Sequence, residues 1–164
     1  MLLTSNIISN AQELKPNTTI KTSSASFVVH QPQPGGLVVY NNKNSYDKKI
    51  PKVAPTTITI VGRRDKGGML NSFKKVFSND RLKQLLPENI LPMQLYVDSS
   101  GGVLEIVFFL NNNTLVKAQE LDDLEKAIKA NVSLILNPNE TKGGDFFAIS
   151  VVVKYSRVLD GTLK

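Results

Sequence analysis

The residues able to do chemistry are few and scattered. The chain holds one histidine, His30, beside the break Gln31-Pro32-Gln33-Pro34-Gly35-Gly36. A serine nucleophile needs an adjacent base, and His30 is the sole conventional candidate. No Gly-x-Ser-x-Gly elbow accompanies it, so nothing presents a serine on the sharp turn such chemistry uses. A lone histidine is more often structural or solvent-facing than catalytic, and His30 is read that way. Cysteine is absent, which excludes thiolate nucleophiles, disulfides, Cys-rich zinc sites and iron–sulfur clusters together.

The carboxylates are no better arranged. Asp122 and Asp123 are neighbours in a helical segment and project in different directions, so they are poor co-ligands for a metal ion. Asp98, in Asp98-Ser99-Ser100-Gly101-Gly102, is a turn former. No run of Asp and Asn has the spacing of a calcium loop. The expectation is a non-enzymatic chain with no catalytic residue, metal or cofactor.

One loop has the composition of an anion site. Gly62-Arg63-Arg64-Asp65-Lys66-Gly67-Gly68 follows a strand pattern and precedes a helical one. Backbone N–H groups at a helix start, with Arg63, Arg64 and Lys66 close by, suit a phosphate or a polyanion. The loop lacks the Gly-Lys-Ser/Thr ending of a Walker loop and the Gly-x-Gly-x-x-Gly of a dinucleotide fingerprint. Lys43, Lys48, Lys49 and Lys52 would extend the same basic surface. The competing reading is a flexible, solvated loop. Phe108, Phe109, Phe146 and Phe147 lie in apolar runs nearly free of Lys and Arg. Core packing therefore explains them better than base stacking.

The elements that must position these residues are legible mainly after Pro55. Thr56 to Val61 alternates hydroxyl and aliphatic side chains, as a strand with one buried face does. Leu70, Phe73, Val76 and Phe77 recur at helical spacing. Ser78-Asn79-Asp80 stops that helix and caps a second, carrying Leu82, Leu85 and Leu86, which Pro87 ends. Pro92 to Val97, the Asp98–Gly102 turn and Val103 to Leu110 form a hairpin. Leu121, Leu124 and Ile128 stripe a further helix, with acids early and lysines late, as the helix dipole favours. Ser133 to Leu136 is a strand, Asn137 to Gly144 a turn, and Phe146 to Tyr155 a long apolar strand. Before Pro55 the text is weaker. Glu13 to Ser26 is a polar lead-in, Ser26 to Val29 and Leu37 to Tyr40 are short strands, and Asn41 to Pro55 is a basic loop. These first 55 residues either add strands to the sheet or hang free.

A length of 164 residues with 41% hydrophobic content fits one domain, here read as residues 56–164 with an irregular arm at 12–55. No apolar run approaches the ~18 residues that span a bilayer. The formal charge of +6 favours anionic partners in long-range encounter but also fits an ordinary solvated basic surface. Residues 1–11 end in Ser9-x-Ala11, a small-x-small pattern of the kind signal peptidase cleaves. They are read as the remnant of a secretory signal with Gln12 as the first mature residue, which places the protein in the periplasm or on the surface of a Gram-negative-type bacterium.

The succession of helix, hairpin, helix and closing strand over roughly residues 70–158 resembles the C-terminal domain of TonB and its relatives. The matching pieces are Leu95-Tyr96-Val97-Asp98-Ser99-Ser100-Gly101-Gly102-Val103-Leu104, the helix around Leu121 to Ile128, and the strand Ile149 to Val153. The resemblance implies an α+β fold, an antiparallel sheet with two or three helices packed on one face. Members of that family couple cell-envelope energy to outer-membrane receptors through an anchor and a Pro-rich spacer. Neither is seen here, so the resemblance points to exported relatives of unknown role. An open sheet keeps an edge, and the last strand is the candidate. Phe146, Phe147, Ile149, Val151 and Val153 are then the expected interaction residues for a protein partner, with a polyanion at the basic loop as the alternative.

Overall fold

Period-two burial organises the strands of the main sheet. The computed structural model describes residues 12–32, 35–46, 48–49, 58–65 and 67–163. The segment read as a signal remnant, together with Lys52 and Lys66, lies outside them. Among the described residues eight strands run in the order β1 (Thr18–Lys21), β2 (Ser26–His30), β3 (Leu37–Asn41), β4 (Ile60–Arg63), β5 (Ile90–Asp98), β6 (Val103–Leu110), β7 (Leu134–Leu136) and β8 (Phe146–Lys154). Six form one antiparallel sheet, ordered β1-β2-β3-β6-β5-β8. The β5–β6 hairpin sits inside it, and nine register pairs from Ile90↔Lys154 to Asp98↔Phe146 lay β8 along the far side of β5.

One face of this sheet is the core. Phe27, Val29, Leu37, Val39, Met93, Leu95, Phe108, Ile149 and Val153 alternate inward and are buried, as the two-residue repeat of a strand dictates. Helices α1 (Gly68–Val76), α2 (Asn79–Leu85), α3 (Ala118–Asn131) and α5 (Tyr155–Leu159) cover that face; a short α4 (Pro138–Thr141) lies outside it. Phe73, Leu82, Leu85, Leu121, Leu124, Ile128 and Tyr155 join the strand residues in a single cluster. The expected α+β class, an antiparallel sheet with helices on one face, is what the chain adopts. α1 lies against α3, and Ser72 Oγ ties them, sitting 2.7 Å from the Gly68 carbonyl and 2.9 Å from that of Ala127.

The other face carries a small second cluster. Tyr96, Val107 and Phe146 are buried under Tyr46, which meets Phe146 edge-on at 5.0 Å between ring centroids. Tyr46 comes from the turn after β3, held by its N–H donating to Asn44 Oδ1 at 2.9 Å.

Several expectations need correction. The lead-in before Ser26 contains β1, and β1 to β3 join the main sheet through the β3–β6 pairing. The strand placed at Thr56 to Val61 is β4. Thr56 and Thr57 lie outside the described residues, and Ile58 and Thr59 precede the strand. β4 begins at Ile60, pairs with β7 in a separate two-stranded ribbon, and leaves Ile60 and Val61 exposed rather than half-buried. The ribbon meets the core through Leu134 and Leu136 of β7, with Ile58 packed against the same cluster, while Ile60 and Val61 face outward. Phe109 is exposed, unlike Phe108, Phe146 and Phe147. β8 ends at Lys154, one residue short of the expected Tyr155, which instead opens α5. The Asn137–Gly144 turn holds α4, whose cap is the Asn137 side chain. In the hairpin turn Gly101 alone takes the left-handed backbone, at φ 87°. Asp98 serves instead as an acceptor for the N–H groups of Ser100 and Gly102.

Candidate functional site

The outer edge of β8 is the feature with the clearest capacity to act. β8 is nine residues long and terminates the sheet order. Beyond it no strand is paired among the described residues. A terminal strand presents alternate N–H and C=O groups that a further strand can pair. Natural edges are normally shortened or guarded by charge, proline or a bulge. β1, at the opposite edge, follows that rule with four residues ending in Lys21. β8 does not: between Asp145 and Lys154 there is neither a charge nor a proline, and its register against β5 runs without a shift.

The side chains expected at this edge are mostly spent elsewhere. Phe147, Ile149 and Val153 fill the core, and Val151 is partly buried against it. Phe146 fills the second cluster. The accessible positions are Ala148, Ser150 and Val152 on the opposite face, with Val152 56% exposed. Val152 pairs with Pro92, and Val38 pairs with Phe109. The β5–β6 register sets Pro92 beside Phe109, so an apolar row crosses four strands of the sheet. A cleft of about 390 Å³ lined by Pro32, Val38, Ile90, Pro92 and Phe109 opens on it.

The basic loop has a different geometry from the one its composition suggests. Asp65 Oδ1 accepts the Gly68 N–H at 2.6 Å, and Oδ2 accepts the Ser133 N–H at 2.8 Å. The start of α1 is thus already faced by a carboxylate from the same loop. Arg64 donates from Nη1 to the Ser100 carbonyl at 3.0 Å, and Arg63 is half-buried at the end of β4. Lys43, Lys48 and Lys49 are exposed on the turn after β3, where Lys49 Nζ sits 4.3 Å from the Tyr46 ring centroid. His30 is exposed at the end of β2, opposite Val38, and its side chain makes no hydrogen bond to another described residue.

Three buried polar groups were not legible as such. Asp122 is only 2% exposed and accepts the Thr22 hydroxyl at 2.6 Å and the Ser24 hydroxyl at 2.8 Å. Lys126 Nζ lies 3.1 Å away. Burial pushes the Asp122 carboxyl up, but the two hydroxyls and the ammonium outweigh it and hold it below its ordinary value. Glu125 is held the other way. Burial raises it against the pull of Lys129, which sits 2.7 Å from Glu125 and 2.9 Å from Glu105. Tyr155 is fully buried, and its hydroxyl has no hydrogen-bond partner among the described residues. Burial first, then Glu88 and Glu120, push that phenol far up. The i,i+4 spacing to Lys126 and Lys129 on the same helix was the only local signal for Asp122 and Glu125; Thr22, Ser24 and Asn41 reach them from other elements.

No protein-family model and no curated protein matches the chain. Among solved structures the chain is similar to the crystal structure of a DUF5043 family protein from Bacteroides uniformis ATCC 8492. The TM-score is 0.67, with 86% of each chain covered at 13% sequence identity. At that identity the likeness is one of fold, to a bacterial protein.

Proposed function

We propose that the chain is a non-enzymatic binding module that recruits a protein by strand addition at β8, in the envelope of a bacterium. The unguarded edge carries this reading: nine residues with an uninterrupted register on one side and no charge or proline along the run. Main-chain hydrogen bonds would supply affinity, and the exposed Ala148, Ser150 and Val152 would read alternate side chains of the added strand. The TonB-like succession over residues 70–158 supports the same reading by analogy of layout, and the Ser9-x-Ala11 pattern supports export. A bacterial fold relative is consistent with both.

Lysines on an edge strand deter pairing. The double variant A148K/V152K changes two exposed positions and should fold with an unchanged Tm. Immobilised wild type should retain a defined partner from envelope extract that the double variant loses. Equal retention by both proteins would contradict the reading. The alternative, an anion held by Arg63, Arg64 and Lys66, ranks second because Asp65 already occupies the α1 N-terminus. It predicts salt-sensitive retention on a polyanion column that weakens in R63A/R64A.

A further inference from the structure

We infer that the strand received by β8 is β8 of a second copy, paired antiparallel about a two-fold axis at Ser150. This rests on the reading of β8 as a docking edge and names the occupant. Ser150 is the midpoint of the nine-residue strand. Antiparallel pairing there sets Phe146 opposite Lys154, Phe147 opposite Val153, Ala148 opposite Val152, Ile149 opposite Val151, and Ser150 opposite itself.

Every position of that register is compatible. Phe147 with Val153 and Ile149 with Val151 extend the buried faces of the two sheets. Ala148 with Val152 covers the most exposed apolar side chain of β8 and continues the row of Val38, Phe109, Pro92 and Val152 into the other copy. Like charges directly opposite one another destabilise a sheet, and a chain of net charge +6 repels its copy on average. This edge escapes both penalties. Its strand holds no charge before Lys154, and antiparallel pairing brings Lys154 of each copy beside the residue next to the other copy's Asp145. Both residues are exposed. The parallel arrangement would instead set Lys154 against Lys154 and Asp145 against Asp145. The contact is isologous and closes, as a two-fold dimer requires. A single strand edge is small against the ~1,200–2,000 Å² of stable complexes, so the dimer should dissociate on dilution.

The absence of cysteine from the chain gives a clean test. In S150C the new thiols face each other across the axis, within the reach of a disulfide. In V152C each thiol is displaced from its mate by four residues, roughly 13 Å along the strand, beyond disulfide reach. Under mild oxidation S150C should become a covalent dimer, while V152C stays largely monomeric. In sedimentation, wild type should show a concentration-dependent monomer–dimer equilibrium and S150K should be monomeric. Failure of S150C to crosslink, equal crosslinking of both variants, or identical sedimentation of S150K and wild type would overturn the inference. If wild type is monomeric yet A148K/V152K still loses a captured protein, self-pairing alone is wrong. If no capture is seen either, the docking edge itself is wrong.

Discussion

At the residue scale, the chain spends its polar groups on holding elements together. Asp122 clasps the β1–β2 turn to α3 through Thr22 and Ser24. Charge-assisted hydrogen bonds at a buried acceptor are worth more than neutral ones, so D122A should cost about 3 kcal/mol, read as a lower midpoint in chemical denaturation. Its pH dependence follows from the depressed carboxyl. The contribution is present above the ordinary carboxylate range near 4 and is lost as pH falls through the lower folded value. D122A should therefore flatten the acid limb of the stability profile, and a limb as steep as wild type would refute the clasp. Tyr155 is the opposite case, since its buried hydroxyl meets no acceptor among the described residues. Y155F should leave stability unchanged or raise it by about 1 kcal/mol. A clear fall in Tm would mean that the hydroxyl is paired. Neither role was legible beforehand: Thr22 lies 100 positions from Asp122, and no local pattern reports such a contact.

At the element scale, what could be read locally was read, and what depends on distant pairing was not. α3 was legible because Leu121, Leu124 and Ile128 recur at helical spacing along its buried face. The β5–β6 hairpin was legible because Asp98 and Gly101 specify its turn. β1 was missed because Ile20 is its single buried residue among polar neighbours. α5 was missed because five residues give no period to detect. The exposure of Phe109 was hidden because an apolar run such as Val103 to Leu110 looks the same whether one face or both are covered. The hairpin turn also makes a prediction of its own. A Cβ on Gly101, already at positive φ, would stand 1.9 Å from the Leu134 carbonyl oxygen. G101A should then cost more than about 1 kcal/mol and loosen the link between the hairpin and β7, visible as faster amide exchange at Leu134. Unchanged exchange there would show that the turn and β7 are not coupled.

At the scale of the whole molecule, the described residues of four helices, the six-stranded sheet and β7 share one main core, while the sheet's two edges are treated differently. The β1 edge is short and polar; the β8 edge is long and apolar. The edge position of β8 was anticipated from its place as the last strand. Its partner β5 and their unbroken register belong to the fold and to no local signal. The side chains expected to make contact turned out to be largely internal, because Phe147, Ile149, Val151 and Val153 face the core and Phe146 the second cluster, which leaves Ala148, Ser150, Val152 and the backbone edge outward. Affinity at such an edge comes from main-chain pairing, so amide exchange reads it directly. The decisive measurement is residue-resolved hydrogen exchange along residues 146–154, from dilute to concentrated protein. The account predicts alternate amides exchanging fast in dilute solution and becoming protected as the concentration rises. Full protection in the dilute monomer would show the edge already covered, and outward amides that stay fast at every concentration and beside every captured protein would show that no strand is added there.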